Sequence, residues 1–305
     1  MIMPTALGKG IYPPVLTFFT SQEELDLGTL RHHIHRLAES GIAGYVVMGS
    51  NGEAVHLTDD ERAQVIAAAR AEVALQSRTL PLIAGCGAQS TRLTGALCQQ
   101  AADAGADFAL ILPPFYYRGQ MTQTALYEHY QTVAEQSPLP ILIYNMPACA
   151  GGLDLDAEFI IQLAAHPNIV GVKDTSGNIV KLARIAAAVP ADFQVFAGNA
   201  DILLPSLASG AVGCVAAFAN IFPELVCKVQ LLFEQEKLTE ASKLQASLIE
   251  PNAAVTSRYG VPGLKFALQQ LAGYGGIPRR PLLPLNELEQ QKVLDSIAPI
   301  RSSSD

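Results

Sequence analysis

The sequence predicts an α/β protein built as a (β/α)8 TIM barrel with a C-terminal helical extension. Three observations carry that expectation. Short apolar runs alternate with longer stretches of helical periodicity. The apolar runs are continuous rather than alternating, the pattern of parallel strands buried on both faces. Eight of them follow one another in an unbroken series, at roughly 25–35-residue intervals, which matches the count of a (β/α)8 barrel. A doubly wound sheet is the competing architecture, and the unbroken series favours the barrel.

In chain order the expected strands are 11–19 (IYPPVLTFF), 42–48 (IAGYVVM), 80–84 (LPLIA), 107–112 (DFALIL), 140–145 (PILIYN), 169–173 (IVGVK), 193–197 (FQVFA) and 212–217 (VGCVAA). The helix over 58–76 opens on Thr58 with Glu61 three residues later, a capping box. Ser90 before 91–104 and Asn178 before 179–189 are further N-terminal signals. Beyond 217 no strand pattern recurs. Helices are expected over 221–235, 237–250, 263–272 and 286–297, with Gly273, Gly275, Gly276, Pro278, Pro281 and Pro284 breaking the series. The division read from this is a catalytic barrel over 1–220 and a helical region over 221–305 packed on it.

Composition removes several classes of function. The chain has 305 residues, 50% hydrophobic and 16% charged, which excludes global disorder. No run approaches the roughly 18 uninterrupted apolar residues of a membrane span, so no membrane partner is expected. The mean hydropathy of +0.25 is therefore assigned to a large core. The net charge is −8 without basic blocks, which makes nucleic acid a poor partner. Five cysteines (Cys86, Cys98, Cys149, Cys214 and Cys227) form no CxxC pair, so neither a disulfide framework nor a zinc knuckle is expected. Met1 to Tyr12 has one Lys and no apolar stretch, unlike a secretory signal. A cytoplasmic location is expected, with a mitochondrial one kept open.

Chemistry in a barrel sits at the C-terminal ends of its strands. Lys173 closes the run IVGVK, where desolvation would lower its pKa and free the amine to form a Schiff base with a carbonyl. The plain alternative is a strand-end lysine in solvent or paired with Asp174. Tyr144 closes the neighbouring strand, where a phenol could move protons beside that imine; the alternative is a core tyrosine. Gly49-Ser50-Asn51-Gly52-Glu53 offers glycines that can gather N–H groups around a carboxylate, or simply a turn. Gly85-Cys86-Gly87 is only a partial dinucleotide fingerprint and is set aside. His32, His33 and His35 on the first helix have no spaced ligand partners and are expected on a solvated face. No metal and no cofactor are expected.

GSNGE (49–53), YNMP (144–147) and GVKDTSGN (171–178) together resemble the signature blocks of the dihydrodipicolinate synthase/N-acetylneuraminate lyase superfamily, over nearly the whole chain. The resemblance implies a (β/α)8 barrel, a homotetramer arranged as a dimer of dimers, and a small 2-oxo acid substrate. It makes Lys173 the Schiff-base lysine and Tyr144 the proton shuttle. Ser50 and Asn51 would bind the substrate carboxylate, with the Ser50 hydroxyl in a proton relay. Tyr116 matches the tyrosine that reaches across the tight dimer. Thr175, Gly198 and the Val215 backbone match positions lining the pocket. Synthases of the family carry an arginine two residues after the proline of YNxP; here Cys149 stands there. HPNIVGVKD (166–174), PPFYYRG (113–119) and EPNAAVTSRYGVPGLK (250–265) look most like 4-hydroxy-2-oxoglutarate aldolase. GSNGEAVHLT (49–58), GCGAQSTR (85–92) and YNMPACAGGLDL (144–155) look equally like fungal 2-keto-3-deoxy-hexonate aldolases, including an extra residue between Pro147 and Leu153. The activity implied is a class I, pyruvate-releasing aldolase, acting on 4-hydroxy-2-oxoglutarate or on a 3-deoxy-2-oxo sugar acid. A synthase or dehydratase using the same imine, and a catalytically silent acid-binding barrel, are the alternatives.

Overall fold

The computed structural model describes residues 7–301. Eight parallel strands alternate with helices: β1 (Gly10–Ile11), α1 (Leu27–Ala38), β2 (Tyr45–Val47), α2 (Asp59–Val73), β3 (Leu82–Gly85), α3 (Thr91–Asp103), β4 (Phe108–Ile111) and α4 (Gln123–Gln136). The second half continues with β5 (Ile141–Asn145), α5 (Ala157–Leu163), β6 (Ile169–Asp174), α6 (Ile179–Ala188), β7 (Gln194–Ala197), α7 (Leu203–Ala208), β8 (Gly213–Cys214) and α8 (Pro223–Glu234). Three further helices follow: α9 (Leu238–Ala253), α10 (Gly260–Ala272) and α11 (Glu287–Arg301), with one wide helical turn at Ala254–Arg258 between α9 and α10.

The strands pair in the order β1-β8-β7-β6-β5-β4-β3-β2. The remaining seam, between β1 and β2, is closed by single bonds. Ala43 N–H donates to Ile11 O at 2.8 Å, Val46 N–H to Pro13 O at 3.0 Å, and Val15 N–H to Val46 O at 2.8 Å. The expected first strand over 11–19 is thus cut to a two-residue ladder. Pro13 and Pro14 lack the N–H that a longer ladder needs, and the chain continues as an isolated bridge at Pro14.

Two apolar layers result. Inside the barrel lie Tyr12, Val46, Ile83, Phe108, Leu110, Leu142, Tyr144, Phe196 and Val215. Between strands and helices lies a far larger shell that includes Ile11, Val47, Ala84, Ile111, Ile143, Val172 and Ala197. Neighbours in sequence therefore face opposite layers, as strand geometry requires.

The local helix signals hold. Thr58 and Glu61 form the reciprocal capping box (Thr58 N–H to Glu61 Oε2 2.9 Å, Glu61 N–H to Thr58 Oγ1 3.2 Å). Ser90 caps α3 and Asn178 caps α6 through their side-chain oxygens. Of the histidines of α1, His32 and His35 are exposed as expected, and His33 is a correction. His33 is fully buried, with its ring nitrogens 2.9 Å from Tyr274 Oη and 2.9 Å from Asn220 Oδ1, and His35 Nδ1 lies 3.2 Å from Glu72. His33 is buried because the C-terminal region brings Tyr274 and the turn after β8 brings Asn220 onto this face. Burial pushes its pKa down to about 3. The partial fingerprint at Gly85 is also structural. A Cβ there would sit 1.9 Å from Met48 O, so the residue must be glycine for β2 and β3 to approach.

Candidate active site

Whether Lys173 faces the inside of the barrel is decided by one irregularity in β6. Ile141 pairs with Ile169, but Leu142 pairs with Gly171, which leaves Val170 as an extra residue. Both Ile169 and Val172 consequently face the outer shell, although they are an odd number of positions apart. A bulge of this kind reverses the in–out alternation beyond it. Without it, Asp174 would point into the barrel and Lys173 out of it.

With it, Lys173 pairs with Tyr144 on β5 and with Phe196 on β7. Its side chain is buried, 3% exposed, and its Nζ stands 4.0 Å from the centre of the Tyr144 ring. Tyr144 Oη is 3.5 Å from Ser50 Oγ, which arrives from the loop after β2. Amine, phenol and hydroxyl thus come together from three strand ends.

The outward-facing neighbours form a saturated network. Asp174 is fully buried and accepts from Lys181 Nζ at 2.9 Å, Asn145 Nδ2 at 3.0 Å, Ser176 N–H at 2.8 Å and the Ser176 hydroxyl at 2.5 Å. Lys181, on the first turn of α6, also donates to Asp154 Oδ1 at 2.6 Å and Leu155 O at 3.1 Å. Asn145 donates to Asp154 at 2.6 Å and accepts the Leu155 N–H at 2.9 Å. Asp174 is therefore the partner of Lys181, not of Lys173.

The other expected site residues fall as follows. The Ser50–Asn51 loop is bracketed by Met48 (φ 57°) and Glu53 (φ 53°), both left-handed without being glycine. Gly49 and Gly52 do not adopt that conformation. Gly52 is instead a close-contact position, where a Cβ would lie 3.1 Å from Val15 O. Thr175 is half-buried, its N–H bonded to Asn145 O at 2.9 Å, and its hydroxyl is buried without a partner. Gly198 donates its N–H to Asp174 O at 2.7 Å, and a side chain on it would run into the Thr175 hydroxyl at 2.3 Å. Val215 lines the barrel interior and donates its N–H to Ala197 O at 2.8 Å. Tyr116 is not drawn into this group. It stands 75% exposed, edge-on to Tyr117 at 5.2 Å between ring centres. Gln89 holds its segment, accepting the N–H groups of Phe115 and Tyr116 at 2.9 Å each. After β5, Cys149 is half-buried, and Gly151 (φ 56°) and Gly152 (φ 76°) carry the chain round to Leu153.

Sequence reasoning missed Gln89, the Asn145–Asp154–Lys181 network, and the pair Glu53–Lys265. Lys265 Nζ is 2.6 Å from Glu53 Oε1, with both side chains out of water. Desolvation lowers the Lys265 pKa, and the Glu53 carboxylate opposes that fall. Glu53, Gln89, Asn145, Asp154 and Lys265 each lie inside a block that carries the family resemblance, but nothing in those blocks names their partners; Lys181 lies outside all of them.

The dihydrodipicolinate synthetase family model matches residues 8–299. The chain belongs to that family. It is 42% identical, over 90% of its length and 89% of the relative's, to a protein of Emericella nidulans named "Probable 4-hydroxy-2-oxoglutarate aldolase, mitochondrial". It is 43% identical to the L-threo-3-deoxy-hexylosonate aldolase of Hypocrea jecorina, over 95% of this chain and 94% of that one. Among solved structures, a dihydrodipicolinate synthase family protein from Coccidioides immitis superposes with a TM-score of 0.89 at 36% identity, covering 99% of this chain and 98% of that one. The barrel read from the sequence is the barrel of this family. Among the described residues, no helix is long and apolar enough to cross a membrane.

Proposed function

We propose that this member of the family is a class I, pyruvate-releasing aldolase that cleaves a 4-hydroxy-2-oxo acid, with 4-hydroxy-2-oxoglutarate giving pyruvate and glyoxylate as the leading reaction. The observation that carries it is the buried Lys173 amine over the Tyr144 ring, with the Ser50 hydroxyl beside the phenol. Among the described residues no carboxylate pairs with that amine, and the adjacent Asp174 is taken by Lys181 on the other side of the wall.

The amine of Lys173 attacks the C2 carbonyl, water leaves, and the iminium forms. Tyr144, in relay with Ser50 and with Tyr116 supplied across a dimer, takes the C4 hydroxyl proton. The C3–C4 bond breaks, its electron pair enters the iminium, and an aldehyde departs. The enamine takes a proton at C3, and water hydrolyses the imine to pyruvate and free lysine. Ser50, Asn51 and loop N–H groups hold the C1 carboxylate, and Thr175, Gly198 and the Val215 backbone line the pocket. The exposed pair Tyr116–Tyr117 supports a contact with a second chain at this face; assembly as a dimer of dimers rests on the family resemblance. The expected cytoplasmic location competes with a mitochondrial one, which the name of the Emericella relative supports.

A second reading is a 3-deoxy-2-oxo sugar acid as substrate, releasing glyceraldehyde. It draws on Cys149, which removes the guanidinium that would clamp a second carboxylate. It also draws on the left-handed Gly151–Gly152 pair, which makes room for the extra residue of that loop. The test is pyruvate release from 4-hydroxy-2-oxoglutarate against six-carbon 3-deoxy-2-oxo acids, followed with lactate dehydrogenase. The faster substrate decides between the two readings, and release from none of them overturns the aldolase.

A further inference from the structure

The loop carrying Ser50 and Asn51 is tied to the far end of the chain through charges held out of water. Both oxygens of Glu53 are occupied. Oε1 accepts from Lys265 Nζ on α10 at 2.6 Å, and Oε2 accepts the Arg279 backbone N–H at 2.9 Å, with His56 Nδ1 at 3.1 Å. Lys265 also donates to Ile277 O at 2.9 Å and stands 4.6 Å from the centre of the Phe19 ring. The Arg279 guanidinium meets the same ring at 4.3 Å, donates to His56 O at 2.9 Å and grips both oxygens of Glu61 at 2.8 and 2.7 Å.

The loop then folds back on Glu53. The Glu53 N–H donates to Ser50 O at 3.1 Å, and Thr17 Oγ1 donates to Gly52 O at 2.6 Å. Glu53 keeps a left-handed backbone although it is not glycine, a conformation that persists only where its surroundings enforce it. A buried ion pair is a weak source of stability compared with apolar residues of the same volume. What it supplies that apolar residues cannot is a fixed direction for both partners.

We propose that Glu53 and Lys265 are positioning residues for the aldol site: their buried contact, closed from behind by the Arg279 segment, fixes the Ser50–Asn51 loop, so the C-terminal helices set the seat of the substrate carboxylate. This rests on the reading of that loop as the carboxylate seat. Neither residue touches substrate; both act through the loop.

The test uses the full chain carrying Glu53→Gln together with Lys265→Met, which removes both charges at near-constant volume and leaves no buried charge alone. Wild type and variant are titrated with pyruvate, reduced with borohydride, and the Lys173 adduct is counted by mass. The folded variant is expected to reach the same adduct at saturation but to need about tenfold more pyruvate, a loss typical of a displaced positioning element. An unchanged half-saturation in a folded variant overturns the clamp and leaves the imine reading standing. A wild type that forms no adduct at Lys173 overturns the imine reading, and the clamp's role with it. Should the double variant not fold, amide exchange in the wild type decides. Without pyruvate, the Glu53 and Ala54 amides are expected to exchange as slowly as those of α10, and exchange within seconds contradicts a preset loop.

Discussion

The two faces of the β5–β6 wall are one residue apart in sequence and opposite in design. On the inner face Lys173 and Tyr144 meet as an amine over a ring, and among the described residues no carboxylate pairs with that amine. On the outer face Asp174 and Asn145, the next residues along each strand, join Lys181 and Asp154 in a network that leaves little bonding capacity free. The difference separates reactivity from rigidity. On the proposed reading Lys173 attacks a carbonyl, and a carboxylate beside it would favour the protonated amine, so its position is better set by groups behind it. The outer network holds the strand ends, and the bulge at Val170 decides which residues land on which face.

The largest effect expected from breaking the inner face short of losing the lysine is that of Tyr144→Phe. It removes the phenol and keeps the ring over Lys173, so turnover should fall by about 10²–10⁴ while the imine still forms. Stopped assays of pyruvate release, alongside adduct counting, separate the two steps. A variant that turns over normally would remove Tyr144 from proton transfer.

Breaking the outer face should first cost stability. Lys181→Met leaves Asp174 buried without its cation, and the loss expected for stranding one partner of a buried pair is about 3–5 kcal/mol, read from urea unfolding. Lys173 should still form its adduct in the fraction that folds. An undiminished urea midpoint would mean that the network contributes nothing to holding the wall.

The smallest effect sharpens the comparison at a distance, with a buried base that is not reactive. His33 is held neutral in the folded chain down to about 3, against 6.5 for the free side chain, because burial disfavours its charged form. Between those values the unfolded chain binds the extra proton. Its contribution to stability is therefore complete above about 6.5 and is lost as pH falls toward 3. His129, pushed down to about 4 by burial, acts in the same direction. Urea midpoints measured from pH 7 down to pH 4 should decline, and less steeply for His33→Gln than for wild type. Equal slopes would mean that His33 takes up its proton in the folded state.

What could be read in the sequence and what could not divides along the same wall. The strands, the caps at Thr58, Ser90 and Asn178, and the polar strand ends at Ser50, Tyr144 and Lys173, which the barrel brings together, are legible, because each rests on a pattern only a few residues long. Strand β1 is shorter than its apolar run because that run contains Pro13 and Pro14, which end the ladder whatever their neighbours prefer. The bulge at Val170 leaves no mark in IVGVK, since register is set by contacts with β5. His33 reads as a solvated helix residue because Asn220 and Tyr274, its partners, lie far along the chain. Lys265 reads locally as an ordinary helix lysine, and only the fold brings it to Glu53, 212 positions away.

The central claim is that Lys173 is the amine that forms the pyruvate imine. Incubating the full-length protein with pyruvate and borohydride, then mapping the reduced adduct by peptide mass, tests it directly. The account predicts one adduct per chain, on Lys173, and none in Lys173→Ala. An adduct on another lysine, or inactivation without any adduct, would contradict it.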